Sequence, residues 1–267
     1  MNRESLATLR AFLLAIAVCA SVGAAVAGET LDRVRMSGTL RVCIWPDYYG
    51  ITYRHPHSGK LSGLDADLSA AFAADLKLGL EHVDSSFATL VEDLRADRCD
   101  VAMFAVAMLP QRLQELRFTR PYLSSDIYAI TTRGSKVVRE WSDIDKPGVV
   151  VGVQSGTFME PVMRQSLRHA RLAVVRAPAT RERELAAGRI DVFMTDYPYS
   201  RKLLDSADWA HLVAPPTPFH PLPYGYAVKP GDEAWYEQVD TFVRRIQRDG
   251  RLLDAARRHG LSAIVAR

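Results

Sequence analysis

The feature that most constrains this chain is an alternation of short β-rich runs with helical patterns that goes through three rounds, stops, and starts again. Leu40-Arg-Val-Cys-Ile44 reads as a strand, and Leu64, Leu68, Phe72 and Leu76 then recur at helical spacing after Gly63. A short strand near Leu80–Val83 leads to Ser85-Ser86, a helix start signal, and Phe87, Leu90, Val91 and Leu94 mark the next helix. Val101–Val106 is continuously apolar, as expected for a strand covered on both faces of a parallel sheet. The series restarts with a strand at Val149–Val153 and a helix at Thr157–Arg168. A strand at Leu172–Val175, a helix at Thr180–Ala187, a strand at Val192–Met194 and a helix at Tyr197–Leu204 complete it. Pro215, Pro216, Pro218, Pro221 and Pro223 then forbid a helix and predict a stiff loop. Tyr224–Val228 is the last strand, and Trp235, Val239, Phe242, Val243 and Ile246 stripe a long helix that Gly250 ends.

Strands separated by helices of this length are βαβ units. Two series of them, with a Pro-rich return, predict two lobes. The chain leaves the first near Tyr122–Ile130 and returns near Tyr224–Val228, and two such crossings make a hinge. The 267 residues, 48% hydrophobic and 24% charged, are those of an ordinary folded protein and exclude a disordered or collagen-like chain. A net charge of +3 with no basic run argues against a nucleic-acid partner or a polybasic membrane patch. At the N-terminus, Arg3 and Arg10 precede the apolar run Ala11–Val18, and Ala25-Val-Ala27 closes it. This is a secretory signal expected to be cut after Ala27, placing the remaining chain in a bacterial periplasm as a soluble monomer.

Several motifs, in order, carry a resemblance. Gly63-Leu-Asp-Ala-Asp-Leu68 follows the pattern G-F-D-x-D-hydrophobic, with Leu for Phe. Phe87-Ala-Thr-Leu-Val-Glu-Asp-Leu94 is an aromatic-led helix. Arg112 with Phe118-Thr-Arg-Pro-Tyr122 follows R-x5-F-[ST]-x-P-Y, Gly152-Val-Gln-Ser-Gly-Thr157 is a Gly-rich turn into a helix, and Gly188–Asp196 follows G-R-x-D-A-x-x-x-D. The chain thus resembles family 3 of the periplasmic solute-binding proteins, which capture amino acids for ABC importers. The resemblance implies an α/β fold of the type II periplasmic-binding-protein kind, each lobe a mainly parallel sheet flanked by helices. Residues 28–126 and 223–267 form lobe 1, 127–222 form lobe 2, and 1–27 are the signal peptide. It implies a small amino-acid-like or carboxylate ligand, a membrane permease as partner, and no cofactor or metal.

It also assigns site residues. Arg112 matches the fork that holds the ligand carboxylate. Backbone N–H groups of the Ser155-Gly156-Thr157 turn, with the Thr157 hydroxyl, add anion contacts, and Asp196 matches the acid that holds the ammonium, with helix capping as its alternative role. Tyr48 and Phe87 match aromatic walls. Asp65 and Asp67 are read as helix-start charge and capping without chemistry. In the implied lobe the strand holding Cys43 neighbours the segment holding Cys99, so the two form a disulfide or remain as buried thiols. Ala105, Ala107 and Leu109 replace the small polar residues usual before the Arg, leaving backbone groups of positions such as Ala107 for the ligand. Trp45 replaces an acid used for basic ligands. These departures point to an uncharged, partly apolar or aromatic ligand body rather than a dibasic one. With no G-x-S-x-G elbow, P-loop or H-E-x-x-H, the chain is expected not to be an enzyme. The rivals are an enzyme of the cyclohexadienyl-dehydratase type on this scaffold, which needs an added acid or base in the cleft, and a non-transport accessory or sensory binder.

Overall fold

A computed structural model describes residues 29–266; the expected signal segment, residues 1–27, lies outside them. The chain opens with helix α1 (Glu29–Ser37) and strand β1 (Thr39–Ile44). A small antiparallel sheet follows, made of β2 (Asp47–Tyr48), β3 (Thr52–Arg54) and β4 (Leu61–Ser62). Helix α2 (Leu64–Leu76), β5 (Gly79–Asp84), α3 (Leu90–Arg95) and β6 (Val101–Ala107) complete the first βαβ series. Then come α4 (Pro110–Glu115), β7 (Arg117–Phe118) and β8 (Leu123–Ser125). The second series runs through β9 (Ile127–Thr132), β10 (Val150–Gln154), α5 (Met159–Ser166), β11 (Arg171–Val175) and α6 (Arg181–Ala186). It ends with β12 (Val192–Asp196), α7 (Tyr197–Ser206) and β13 (Ala210–Val213). Strand β14 (Leu222–Val228), α8 (Glu233–Asp249) and α9 (Arg251–Arg258) close the chain.

The strands form two larger sheets with the same plan. In the first, the order is β5-β1-β6-β14-β7, with β8 also paired to β14. In the second it is β11-β10-β12-β9-β13. The first three strands of each pair in parallel, and the remaining pairings are antiparallel. The expected mainly parallel sheets are therefore mixed. The reason is the crossing: β9 and β14 each enter their sheet from the other lobe and dock on the open edge of β6 or β12 in the opposite direction. The crossings lie between β8 and β9 and between β13 and β14. Asp126 fixes both, since its carboxylate accepts the N–H groups of Ile127, Phe219 and His220.

The central strands are buried throughout β6 and β12, as their unbroken apolar runs require. Cys43 and Cys99 are joined, with Cα atoms 5.5 Å apart. The bridge ties β1 to the entry of β6 across a separation of 56 residues, a closure that removes about 4 kcal/mol of loop entropy from the unfolded chain in the chain-entropy description. Short elements escape the sequence pattern. The strands β2 to β4, β7 and β8 are two or three residues long, too short to show a period. The Pro-rich segment is a loop only up to Pro221, because β14 begins at Leu222 and includes Pro223.

The Gly63–Leu68 motif has a different purpose from the capping expected of it. Gly63 stands at φ 133°, and a Cβ there would lie 2.2 Å from the Ile51 carbonyl oxygen, so no side chain fits. Asp65 is fully buried and caps nothing. Its carboxylate accepts the Ala105 N–H at 2.9 Å, the Tyr122 hydroxyl at 2.5 Å and the Tyr226 hydroxyl at 2.8 Å. Burial lifts its pKa to about 6 against those hydrogen bonds. Asp67, about half a turn on, lies on the opposite face and pairs with Arg258 at the end of α9 and with His259 just beyond it.

Ala105 lies in β6 with φ 49°, in the left-handed region, and pairing with β14 shifts register opposite it between Gly225 and Ala227. The bulge turns its N–H out of the ladder and toward Asp65 and Tyr122. A left-handed conformation costs an L-residue about 1 kcal/mol, which glycine avoids. Ala105→Gly is therefore expected to raise the unfolding free energy by about 0.5–1 kcal/mol. Urea denaturation checks this; a loss of stability would mean that the Ala105 methyl packs for more than its strain costs.

Candidate functional site

The carboxyl ends of β6 and β12 face each other between the lobes. Around them lies a narrow cavity of about 20 Å³. Its walls come from both lobes. Trp45, Tyr48, Phe87, Ala105, Ala107 and Arg112 line it from the first, and Thr157, Arg181, Thr195 and Asp196 from the second. Trp45, Tyr48 and Phe87 form one aromatic cluster with ring centroids 5.1–5.5 Å apart, inclined or edge-on.

Arg112 sits in α4 just after β6 and is only 6% exposed. Its guanidinium donates to three carbonyls, those of Ala107 at 3.1 Å, Phe87 at 3.4 Å and Gly156 at 2.7 Å, and it lies over the Phe87 ring. Among the described residues no carboxylate lies within ion-pair distance of it. Burial lowers its pKa to about 10, so the group stays charged at neutral pH.

Asp196 ends β12 and is 3% exposed. One oxygen accepts the hydroxyls of Tyr48 and Tyr224, both from the first lobe. The other accepts the Tyr199 N–H at 3.2 Å, capping α7. Binding-site position and helix cap thus coexist in one carboxylate. Burial raises its pKa even against these hydrogen bonds, while burial and the neighbouring Asp196 hold Tyr48 and Tyr224 protonated and donating.

The Ser155-Gly156-Thr157 turn departs from expectation. Its amides are engaged inside its own lobe: Ser155 N–H on the Val175 carbonyl, Gly156 N–H on the Glu160 carboxylate and Thr157 N–H on the Gln154 carbonyl. The Thr157 hydroxyl also donates to Gln154. The helix behind it starts only at Met159, so these N–H groups close a local turn instead of opening toward a ligand. What Gly156 supplies is proximity. At φ +76°, a Cβ would lie 2.6 Å from the Ala88 nitrogen of the opposite lobe, while its carbonyl receives Arg112.

Six cavity residues carried no sequence signal as site residues: Phe158, Met159, Arg181, Thr195, Tyr199 and Tyr224. Tyr224 was legible only as part of a strand, and Thr195 only as the neighbour of Asp196. Arg181 starts a short helix after the Thr180 cap, where nothing distinguishes it from a surface arginine.

A family model described as bacterial extracellular solute-binding proteins, family 3, matches residues 40–261. This chain belongs to that family. Within it, the chain is 31% identical over 246 residues to a cyclohexadienyl dehydratase of Pseudomonas aeruginosa, covering 90% of this chain and 89% of that one. It is 25% identical to the L-cystine-binding protein TcyJ of Escherichia coli, over 83% and 82% of the two chains. Among solved structures, an ancestral amino acid-binding protein that is a precursor of cyclohexadienyl dehydratase superposes with a TM-score of 0.78 at 26% identity. The match covers 86% of this chain and 99% of that one. The fold is the type II periplasmic-binding-protein fold.

The expectation that the chain is not an enzyme is overturned by the dehydratase relative. It rested on missing nucleophile and metal motifs, whereas proton-transfer chemistry needs only a buried carboxyl of raised pKa. Burial of that kind leaves no motif.

Family members are extracellular or periplasmic, and no helix among the described residues is long and apolar enough to cross a membrane. In the geometry described, Gly156→Ala is expected to hold the lobes apart and weaken capture of any cleft ligand by about tenfold or more. Small-angle scattering should show a wider particle, and thermal unfolding should be little changed, since the clash lies between lobes. An unaltered scattering profile would show that the lobes meet elsewhere.

Proposed function

We propose that this family 3 protein is exported to the periplasm, closes on a small zwitterionic solute, and delivers it to the membrane permease of an ABC importer. One observation carries the reading. Two buried opposite charges, Arg112 from one lobe and Asp196 from the other, line one cavity, and each is hydrogen-bonded only to neutral groups, with the Arg181 guanidinium acting on Asp196 at longer range. A buried charge without a counter-ion is costly. An amino acid supplies both counter-ions at once, its carboxylate for the Arg112 fork and its ammonium for Asp196. Trp45 and Phe87 cover the aliphatic part. Contacts made to both lobes together exist only in the closed form, so the ligand itself shifts the hinge equilibrium toward closure.

Arg112→Ala and Asp196→Ala are each expected to weaken binding by more than ~2 kcal/mol, because each leaves one ligand charge buried alone. Calorimetry following a thermal-shift screen of amino acids measures this. Unchanged affinity in either variant would return that residue to a structural role.

The dehydratase relative and the raised pKa of Asp196 favour a second reading, elimination of water in the same cleft. Loss of water from a hydroxylated cyclohexadienyl carboxylate breaks the C–O bond while the ring carboxylate departs as CO2, its C–C electron pair entering the ring to make it aromatic, and the departing hydroxide must take up a proton to leave as water. Asp196 in its protonated form can donate it. Incubation with a hydroxylated cyclohexadienyl carboxylate, followed by ultraviolet absorbance of the aromatic product, tests this. Turnover that Asp196→Asn abolishes supports elimination, and a rate no faster than the uncatalysed one rejects it while leaving capture intact.

A further inference from the structure

The pair Arg112 and Asp196 accounts for one carboxylate and one ammonium, yet the cavity holds a second guanidinium. Arg181 is 3% exposed and lines the same cavity. A guanidinium carries five N–H donors. Among the described residues Arg181 uses its side chain in one hydrogen bond, from Nη1 to the Met194 carbonyl at 2.8 Å. Its remaining support is aromatic, with the guanidinium carbon 4.3 Å from the Tyr199 ring centroid and 5.2 Å from that of Phe193. Those faces hold its plane in place and leave its edge donors unclaimed.

The same cavity holds a second orphan. Thr195 is fully buried, also lines the cavity, and its Oγ1 has no hydrogen-bond partner in the protein. Buried hydroxyls are nearly always paired, and leaving one unpaired weakens the fold. An unpaired hydroxyl and an under-used guanidinium in the same cavity point to one missing partner. That partner must accept from both. The cavity also sets two guanidinium groups against one carboxylate, so a plain zwitterion leaves a positive charge unbalanced.

We propose that Arg181 and Thr195 form a side-chain subsite that makes this cleft selective for amino acids with an acidic side chain, in place of the uncharged ligand body expected from Trp45, Ala105 and Ala107. This rests on the capture reading and refines it. The second carboxylate of the ligand takes the free donors of Arg181, with the Thr195 hydroxyl donating to the same group, while Arg112 and Asp196 hold the α-carboxylate and ammonium. The arrangement also disfavours dibasic ligands, whose second cation would meet Arg181.

Calorimetry on the exported chain with glutamate, aspartate, glutamine, alanine and arginine tests it. The wild type is expected to bind glutamate or aspartate tightest. Arg181→Gln should weaken the acidic ligands at least ~30-fold and alanine much less. Thr195→Val should weaken the acidic ligands ~5-fold while leaving the melting temperature unchanged or higher, since it removes a hydroxyl that the fold does not use. Tighter wild-type binding of glutamine, alanine or arginine than of both acidic ligands overturns the subsite and leaves capture standing. Equal weakening of all ligands by Arg181→Gln also overturns it, assigning Arg181 to packing. Binding of none of the five overturns both readings.

Discussion

The carboxylate of Asp65 is the interaction on which the architecture turns. It collects an N–H from the bulge in β6 and hydroxyls from Tyr122 and Tyr226. Tyr122 precedes the first crossing, and Tyr226 follows the second. One buried group therefore registers the start of α2, the central strand and both hinge approaches against one another. Burying a charge there is costly, which is why its pKa rises to about 6. Because the folded state holds its proton more firmly than the unfolded chain, Asp65 favours folding most at low pH. That contribution shrinks as pH rises from the ordinary carboxylate range through about 6. The three hydrogen bonds offset the cost and define the bulge that shapes the cleft floor at Ala105.

Closure is built on the same logic with the signs divided between lobes. Arg112 reaches across to the Gly156 carbonyl, and Asp196 receives Tyr48 and Tyr224 from the other side. These neutral partners satisfy geometry without neutralising charge. A cleft of this kind prefers a ligand that carries both signs, and each neutral contact gives the closed form a floor of stability on which ligand contacts add. Neutral bracing also explains how one scaffold serves both amino acid capture and dehydration among its relatives. A buried acid aimed into a closed cavity binds an ammonium when ionised and gives up a proton when it is not.

Much of the fold was legible because long elements have periods. The strand at Leu40–Ile44, the helix from Leu64 to Leu76 and the amphipathic helix through Trp235 and Ile246 all lie where their spacing places them. The positions of Arg112, Asp196, Trp45, Tyr48 and Phe87 around one cavity were legible through family motifs, which mark places in a chain and not contacts. Two- and three-residue strands carry no period, and Asp65 carried a motif whose use was misread. Side-chain acceptors inside a core and side-chain caps share the same residue types, so only burial separates them.

Sequence alone determined that this chain alternates strands and helices in two series, and that its motifs belong to a two-lobed binding scaffold, because hydrophobic period and local turn chemistry are written within a few residues. Tertiary structure alone decided which charges end up without a counter-ion. Arg112 and Asp196 lie 84 positions apart; Thr195 shares β12 with Asp196, and Arg181 and Tyr224 lie on two further elements. Whether a guanidinium meets a carboxylate, a carbonyl or an open cavity depends on long-range packing, and burial, the main cause of the shifted pKa values of Arg112, Asp196 and Tyr224, exists only once that packing is in place.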